Sequence, residues 1–298
     1  MARDKSVRFG AHLSIAGGVD KAVERARALR ADCLQLFVKS PSQWRFALLG
    51  DETVARFRAE ARRADLRPLV GHASYLVNLA SPDPALYERS RRCVLEEWDR
   101  AERLGLDGFV LHGGAHMGSG EGPGLERIAR ALDWLHRERP QRQTRILLET
   151  TAGAGTVLGG RFEHLRYIVE SGAAGPRLGV AIDTCHLFAA GYDLRTAAAV
   201  DDTLGKLDEA VGLARVQVVH ANDSRGRLGS GLDRHEPIGR GRLGREAFRL
   251  LVNHPALAGL PFILETPKQD ARGRKMDPVN LRTLRRLAQR DQNNGTRT

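Results

Sequence analysis

Asp233 and His235 stand two residues apart in a glycine-rich stretch, 218–239, that also contains His220. Outside a helix, a carboxylate and an imidazole so spaced can both turn toward one ion, as they do in zinc sites. Their company adds weight. His12, His72, His112, Glu149, Asp183, His186 and Glu265 are further imidazoles and carboxylates, and each closes or closely follows a short apolar run. Imidazole with carboxylate and no thiolate set suits Zn²⁺, with Mn²⁺ or Fe²⁺ as substitutes, and these candidates outnumber the four ligands of one tetrahedral site. Cys185 lies between two of them and reads as a small buried apolar residue rather than a thiolate ligand.

The runs that must position these residues recur at 8–14, 33–40, 67–74, 108–114, 145–150, 178–183, 215–223 and 261–266. Helical periods lie between them: Val19, Ala22, Val23, Ala26 and Leu29 in the first, then Leu86, Val94, Trp98, Ala101 and Leu104. Further apolar stripes cover 125–135, 162–169, 196–213 and 245–252. Pro84 after Asp83, Gly105, and Pro278 after Asp277 supply helix starts and a stop. Strand and helix alternate without a linker, which predicts a single (β/α)8 TIM barrel over 1–298, with a core at about 7–287 and a frayed polar tail at 288–298. The Gly17–Gly18 pair reads as a tight turn, since the remaining spacing of a dinucleotide-binding GxGxxG is missing.

Barrel chemistry sits at the C-terminal ends of the strands. Seven of the eight runs end on or beside a ligand-type residue, and the run at 33–40 does not. Any one of these alone reads as an ordinary strand-end polar group. Gathered around one mouth, the carboxylates would repel and the imidazoles would lack partners, so several metal ions are expected.

Lys and Arg total 47 against 36 Asp and Glu, a net charge of +11, which fits a polyanionic partner or an arginine-rich solvated surface. Cys33, Cys93 and Cys185 are odd in number and widely spaced, so reduced thiols in a cytosol-like compartment are expected. No stretch has the length of a signal peptide or a membrane span, and the expectation is a soluble protein of the cytosol, with no membrane partner.

The segments GAHLSIAGG from Gly10, HASYLVNLAS from His72, LLETTAGAG from Leu147, IDTCHLFAAGYDLR from Ile182, HANDS with DRHEPIG, and LETP ending at Pro267 resemble the signatures of the endonuclease IV family of apurinic/apyrimidinic (AP) endonucleases. That resemblance implies three zinc ions per chain. His72 and His112 would hold the first, and Glu149 would bridge it to the second, completed by Asp183, His220 and Glu265. His186, Asp233 and His235 would hold the third. It also implies hydrolysis of the DNA phosphodiester 5′ to an abasic site, leaving a 3′-hydroxyl and a 5′-deoxyribose phosphate, with removal of 3′-blocking groups as a second activity. Glu149 and Glu265 would be the catalytic carboxylates, Glu265 assisting deprotonation of water. The partner would be double-stranded DNA with abasic sites or blocked 3′ ends, met by a monomer in the bacterial cytosol or nucleoid.

Tyr75 and Leu76 match the family positions that enter the duplex at the lesion. Ser42 stands where well-known members carry an intercalating Arg, with Arg45 nearby as a replacement charge, and Gly113 stands where a Pro usually follows the metal-binding His. His12, Asn222 and Asp223 are expected either to orient ligands and phosphate or to be plain strand-end polar residues. Two other readings stay open: a metal-dependent sugar isomerase or epimerase on a related barrel, and a lesion-binding protein without catalysis. The first has no evident use for His186, Asp233 and His235 together, and the second predicts gaps in the ligand set that the sequence does not show.

Overall fold

A computed structural model describes residues 7–45 and 47–292. β1 (Arg8–His12) leads through α1 (Asp20–Ala28) to β2 (Cys33–Phe37), followed by α2 (Asp51–Arg63), β3 (Leu69–His72), α3 (Pro84–Leu104) and β4 (Gly108–Leu111). Next come α4 (Glu121–Glu138), β5 (Arg145–Glu149), α5 (Phe162–Ser171), β6 (Gly179–Asp183), a short α6 (Thr184–Ala190) and α7 (Ala197–Val211). The chain ends with β7 (Val216–His220), the pair β8 (Asp223–Ser224) and β9 (His235–Glu236), α8 (Gly244–Val252), β10 (Pro261–Leu264) and α9 (Asp277–Gln292). Eight parallel strands close in the order β1-β10-β7-β6-β5-β4-β3-β2, a (β/α)8 barrel.

All eight expected runs form barrel strands, ending at or slightly before the expected residue. The helix punctuation holds as well. Asp83 Oδ1 accepts from Ala85 N at 2.8 Å and Leu86 N at 3.3 Å, Pro84 fills the first turn, and Gly105 closes α3 in the left-handed region at φ 72°. Periodicity did not find α2, which buries only Phe57 and Ala61, or α6, which is buried almost all round and has no polar face. Of the tail expected to fray, 288–292 continue α9, and 293–298 lie outside the described residues. Among the described residues, no helix is long and apolar enough to cross a membrane.

The barrel interior explains where the polar residues sit. Cys33, Val70, Val110, Leu147, Ala181, Val218 and Ile263, one from each of seven strands, pack together at no more than 1 % exposure. The remaining strand contributes Gly10, because a Cβ there would lie 2.2 Å from the Cys33 carbonyl oxygen and 2.6 Å from its Sγ. Side chains alternate along a strand, so residues two positions on face inward again, one layer higher. That next layer is His12, Gln35, His72, His112, Glu149, Asp183, His220 and Glu265.

Candidate metal centre

Three groups of imidazole and carboxylate donors converge above the apolar plug, the ligand-type atoms of each lying within 4.8 Å of one another: His72, His112 and Glu149; Glu149, Asp183, His220 and Glu265; and Asp183, His186 and His235; a fourth, Cys185, Asp233 and His235, includes a thiol. Glu149 belongs to two groups and divides its oxygens between them. Its Oε2 faces His72 Nε2 at 3.2 Å and His112 Nε2 at 2.7 Å, and its Oε1 faces His220 Nδ1 at 2.8 Å. Asp233 reaches in from the loop before β9, with Oδ2 at 3.2 Å from His186 Nε2 and Oδ1 at 3.3 Å from His235 Nε2.

Local structure fixes these positions. Asp183 ends β6 and caps α6, its Oδ1 accepting from His186 N at 2.9 Å, which sets His186 on the first helical turn. The glycine-rich stretch pairs in part as a short antiparallel ribbon, with Ser224 opposite His235 and Asp223 opposite Glu236. Asn222 is fully buried and donates through Nδ2 to Asp183 Oδ2, while its Oδ1 accepts from Glu265 N at 2.8 Å. Asp223 has a different place: it accepts from Ser224, Gly241 and Leu243 backbone N–H groups, binding the ribbon to the following loop. His12 Nδ1 lies 3.1 Å from Glu265 Oε1, and burial, above all, lowers its pKa to about 4.

Protonation of the rings can be deduced from their outer contacts. His72 Nδ1 meets Ala73 O at 2.7 Å, His186 Nδ1 meets Thr150 O at 2.8 Å, and His235 Nδ1 meets Glu265 O at 3.2 Å. A carbonyl oxygen only accepts, so each Nδ1 donates and, in the neutral ring, each Nε2 turns an electron pair inward. Those inner nitrogens face carboxylate oxygens that also carry electron pairs. His186 Nε2 and His235 Nε2 are buried without a hydrogen bond: the Asp233 oxygens are near them but out of line for one. Such an arrangement needs a cation between the donors, and the residues fit divalent metal ions.

Without such ions, protons are the available cations. Burial disfavours charge on His220 and His235, but the carboxylates outweigh it: Glu265 and Glu149 push His220 up to about 9, and Asp183 with Asp233 does the same for His235. Burial likewise opposes ionisation of Glu149 and Glu265, yet His220 is the chief partner holding both well below the usual carboxylate range. Asp233 is held low by His186 and His235 against its own burial.

A cavity of about 530 Å³ opens over the donors, walled by Ile15, Phe37, Pro41, Tyr75 and Lys268 as well as the site residues. Tyr75 is 75 % exposed, its ring 5.2 Å from Phe37 and edge-on to it, and Leu76 is half-buried beside it. Ser42 and Arg45 are exposed on the loop after β2 and do not line the cavity. A buried ion pair ties the two loops together. Lys39 Nζ lies 2.9 Å from Glu97 Oε1 and donates to Gln43 O at 2.6 Å, while Glu97 Oε2 accepts from Ser74 N at 2.9 Å. Gln35, Phe37 and this pair were not singled out from sequence; counting two residues on from Cys33 would have found Gln35.

Residues 23–287 match the family model described as "Xylose isomerase-like TIM barrel". A protein of Chloroflexus aggregans named "Probable endonuclease 4" is 48 % identical over 281 residues, covering 94 % of this chain and 98 % of its own. One of Geotalea daltonii with the same name is 46 % identical, covering 93 % and 96 %. The crystal structure of endonuclease IV from Thermus thermophilus superposes with a TM-score of 0.83 at 39 % identity, covering 94 % and 98 %. A D-tagatose 3-epimerase-like protein shares the fold alone, with a TM-score of 0.72 at 20 % identity, covering 97 % and 99 %.

Proposed function

The chain belongs to the endonuclease IV family, and on that premise we propose that it is a DNA-repair AP endonuclease that hydrolyses the phosphodiester 5′ to abasic sites using three zinc ions. The observation that carries the three-metal reading is a further group, Asp183 with His186 and His235, which Asp233 joins through one oxygen to each ring, beside the two groups that share Glu149. His72 and His112 would hold the first ion, Asp183, His220 and Glu265 the second, and Glu149 would bridge them through its two oxygens. Bound there, Zn²⁺ supplies Lewis acidity toward phosphodiester oxygens and acidifies water.

The protein's own groups do the rest. Glu265 borders the cavity, so a carboxylate stands beside the space where an attacking water would lie and would assist its deprotonation. Tyr75, exposed at the rim, and Leu76 beside it are placed to enter a duplex where a missing base makes unstacking cheap. The net charge of +11 favours the phosphate backbone on either side. A blocked 3′ end presents the same phosphodiester chemistry, so 3′-phosphodiesterase activity is part of the proposal. We place the enzyme in the bacterial cytosol as a monomer. Sugar epimerases share its barrel, but the third donor group and the relatives favour the nuclease.

The test pairs metal analysis with a nicking assay on an abasic-site duplex. We expect about three zincs per chain, incision 5′ to the lesion, and loss of activity on prolonged chelation. Metal-replete protein that leaves the duplex intact would overturn the reading.

A further inference from the structure

Among the eight residues of the polar inward layer, Gln35 is the one amide, and it comes from the strand that brings no ligand-type side chain. It is fully buried. Its Nε2 lies 2.5 Å from Glu265 Oε1 and 3.0 Å from His12 Nδ1, and its Oε1 lies 2.8 Å from His220 Nε2.

The directions of these bonds follow from chemistry alone. An ionised carboxylate only accepts, so the amide NH₂ must face Glu265, and the amide carbonyl must then face His220. A carbonyl only accepts as well, so His220 Nε2 carries the proton. With a metal ion in place of a second proton, His220 Nδ1 is left bare on the side of Glu149 Oε1 at 2.8 Å and Glu265 Oε2 at 3.4 Å. The flipped amide would set its oxygen against a carboxylate oxygen and an NH₂ against an N–H, losing both bonds.

We propose that Gln35 is a positioning residue for the second metal: it locks His220 in its Nε2–H form and draws Glu265 Oε1 aside, leaving His220 Nδ1 and Glu265 Oε2 to share one ion. The inference rests on reading the Glu149, Asp183, His220 and Glu265 group as a metal site. His72, His186 and His235 rest their outer nitrogens on main-chain carbonyls, which no substitution removes. His220 depends on a side chain, so its orientation is the one that mutation can release.

Gln35→Met has similar length, fits a buried site and makes neither bond; Gln35→Glu keeps an acceptor for His220. Zinc affinity is measured by competition with a chromophoric chelator, and the His220 tautomer by ¹⁵N-histidine NMR of the wild-type and variant proteins. The expected result is Nε2–H and no proton on Nδ1 at His220 in the zinc-loaded wild type, and one zinc bound roughly 10- to 100-fold more weakly in Gln35→Met with the others unchanged. Gln35→Glu should fall between the two in affinity. Two results would overturn the proposal: all zincs held by Gln35→Met as tightly as by wild type, or a His220 protonated on Nδ1 in the zinc-loaded wild type. The NMR readout on zinc-loaded wild type can still overturn the proposal where Gln35→Met does not fold, and Gln35→Glu then supplies the affinity comparison. Wild-type protein that binds zinc with His220 in the proposed form yet leaves abasic DNA uncut would count against the nuclease reading and not against this one.

Discussion

His186 Nε2 and Asp233 Oδ2 face each other across 3.2 Å with no hydrogen bond between them. His235 Nε2 repeats the relationship with Oδ1 at 3.3 Å. Two donors each ~2.0–2.1 Å from a tetrahedral zinc are necessarily about 3.3 Å apart. Spacing and misalignment together fit a shared ion better than a hydrogen bond.

His235→Ala should therefore lower the zinc content by about one per chain and cut incision by on the order of a hundredfold or more, with the circular dichroism spectrum of the barrel retained. Atomic absorption alongside the nicking assay checks both. Unchanged metal content would remove Asp233 and His235 from the site.

Ser42 sits exposed after Pro41, close to the cavity but without reach or charge. Ser42→Arg should add a phosphate contact of about 1 kcal/mol, lowering KM for an abasic duplex roughly fivefold at low salt, with the gain fading as salt rises. If KM does not move, another side chain already fills that place.

Lys39 and Glu97 are both almost fully buried, so deleting one charge strands the other. Lys39→Met is expected to destabilise the fold by about 3–5 kcal/mol, and Lys39→Met with Glu97→Gln to recover much of that loss. Denaturant midpoints of the three proteins provide the measurement; a double variant no more stable than the single one would mean that the pair's hydrogen bonds, not its charges, dominate.

Gly10→Ala places a Cβ 2.2 Å from the Cys33 carbonyl oxygen, where no rotamer can relieve it. The expected loss exceeds about 3 kcal/mol, the upper end of ordinary overpacking. Adding Cys33→Ala should not restore stability, because the obstructing atom is backbone; recovery in the double variant would place the strain at Sγ instead.

The barrel and its ligand-bearing strand ends were legible in the sequence because parallel strands buried on both faces read as short apolar runs, and His72, Glu149 or Asp183 interrupts such a run visibly. Gln35 was not legible, since it lies inside its run rather than at the end and is not a ligand type. Nor was the ribbon that holds His235, as two-residue strands leave no periodicity to read. Asp223 matched Asn222 in position along the chain but not in direction: neighbours on an extended segment point to opposite sides, so one reaches Asp183 and the other the loop at Gly241.

The plug of Cys33, Val70, Val110, Leu147, Ala181, Val218 and Ile263 gives the barrel a floor of dry side chains directly beneath the donors. An ion has no route through that floor, so the open end serves as both entrance and exit, and it is the end over which a duplex would lie. On the proposed function, a bound duplex would then act as a stopper: metals would be held most securely while the enzyme is engaged with damage, and would exchange between encounters.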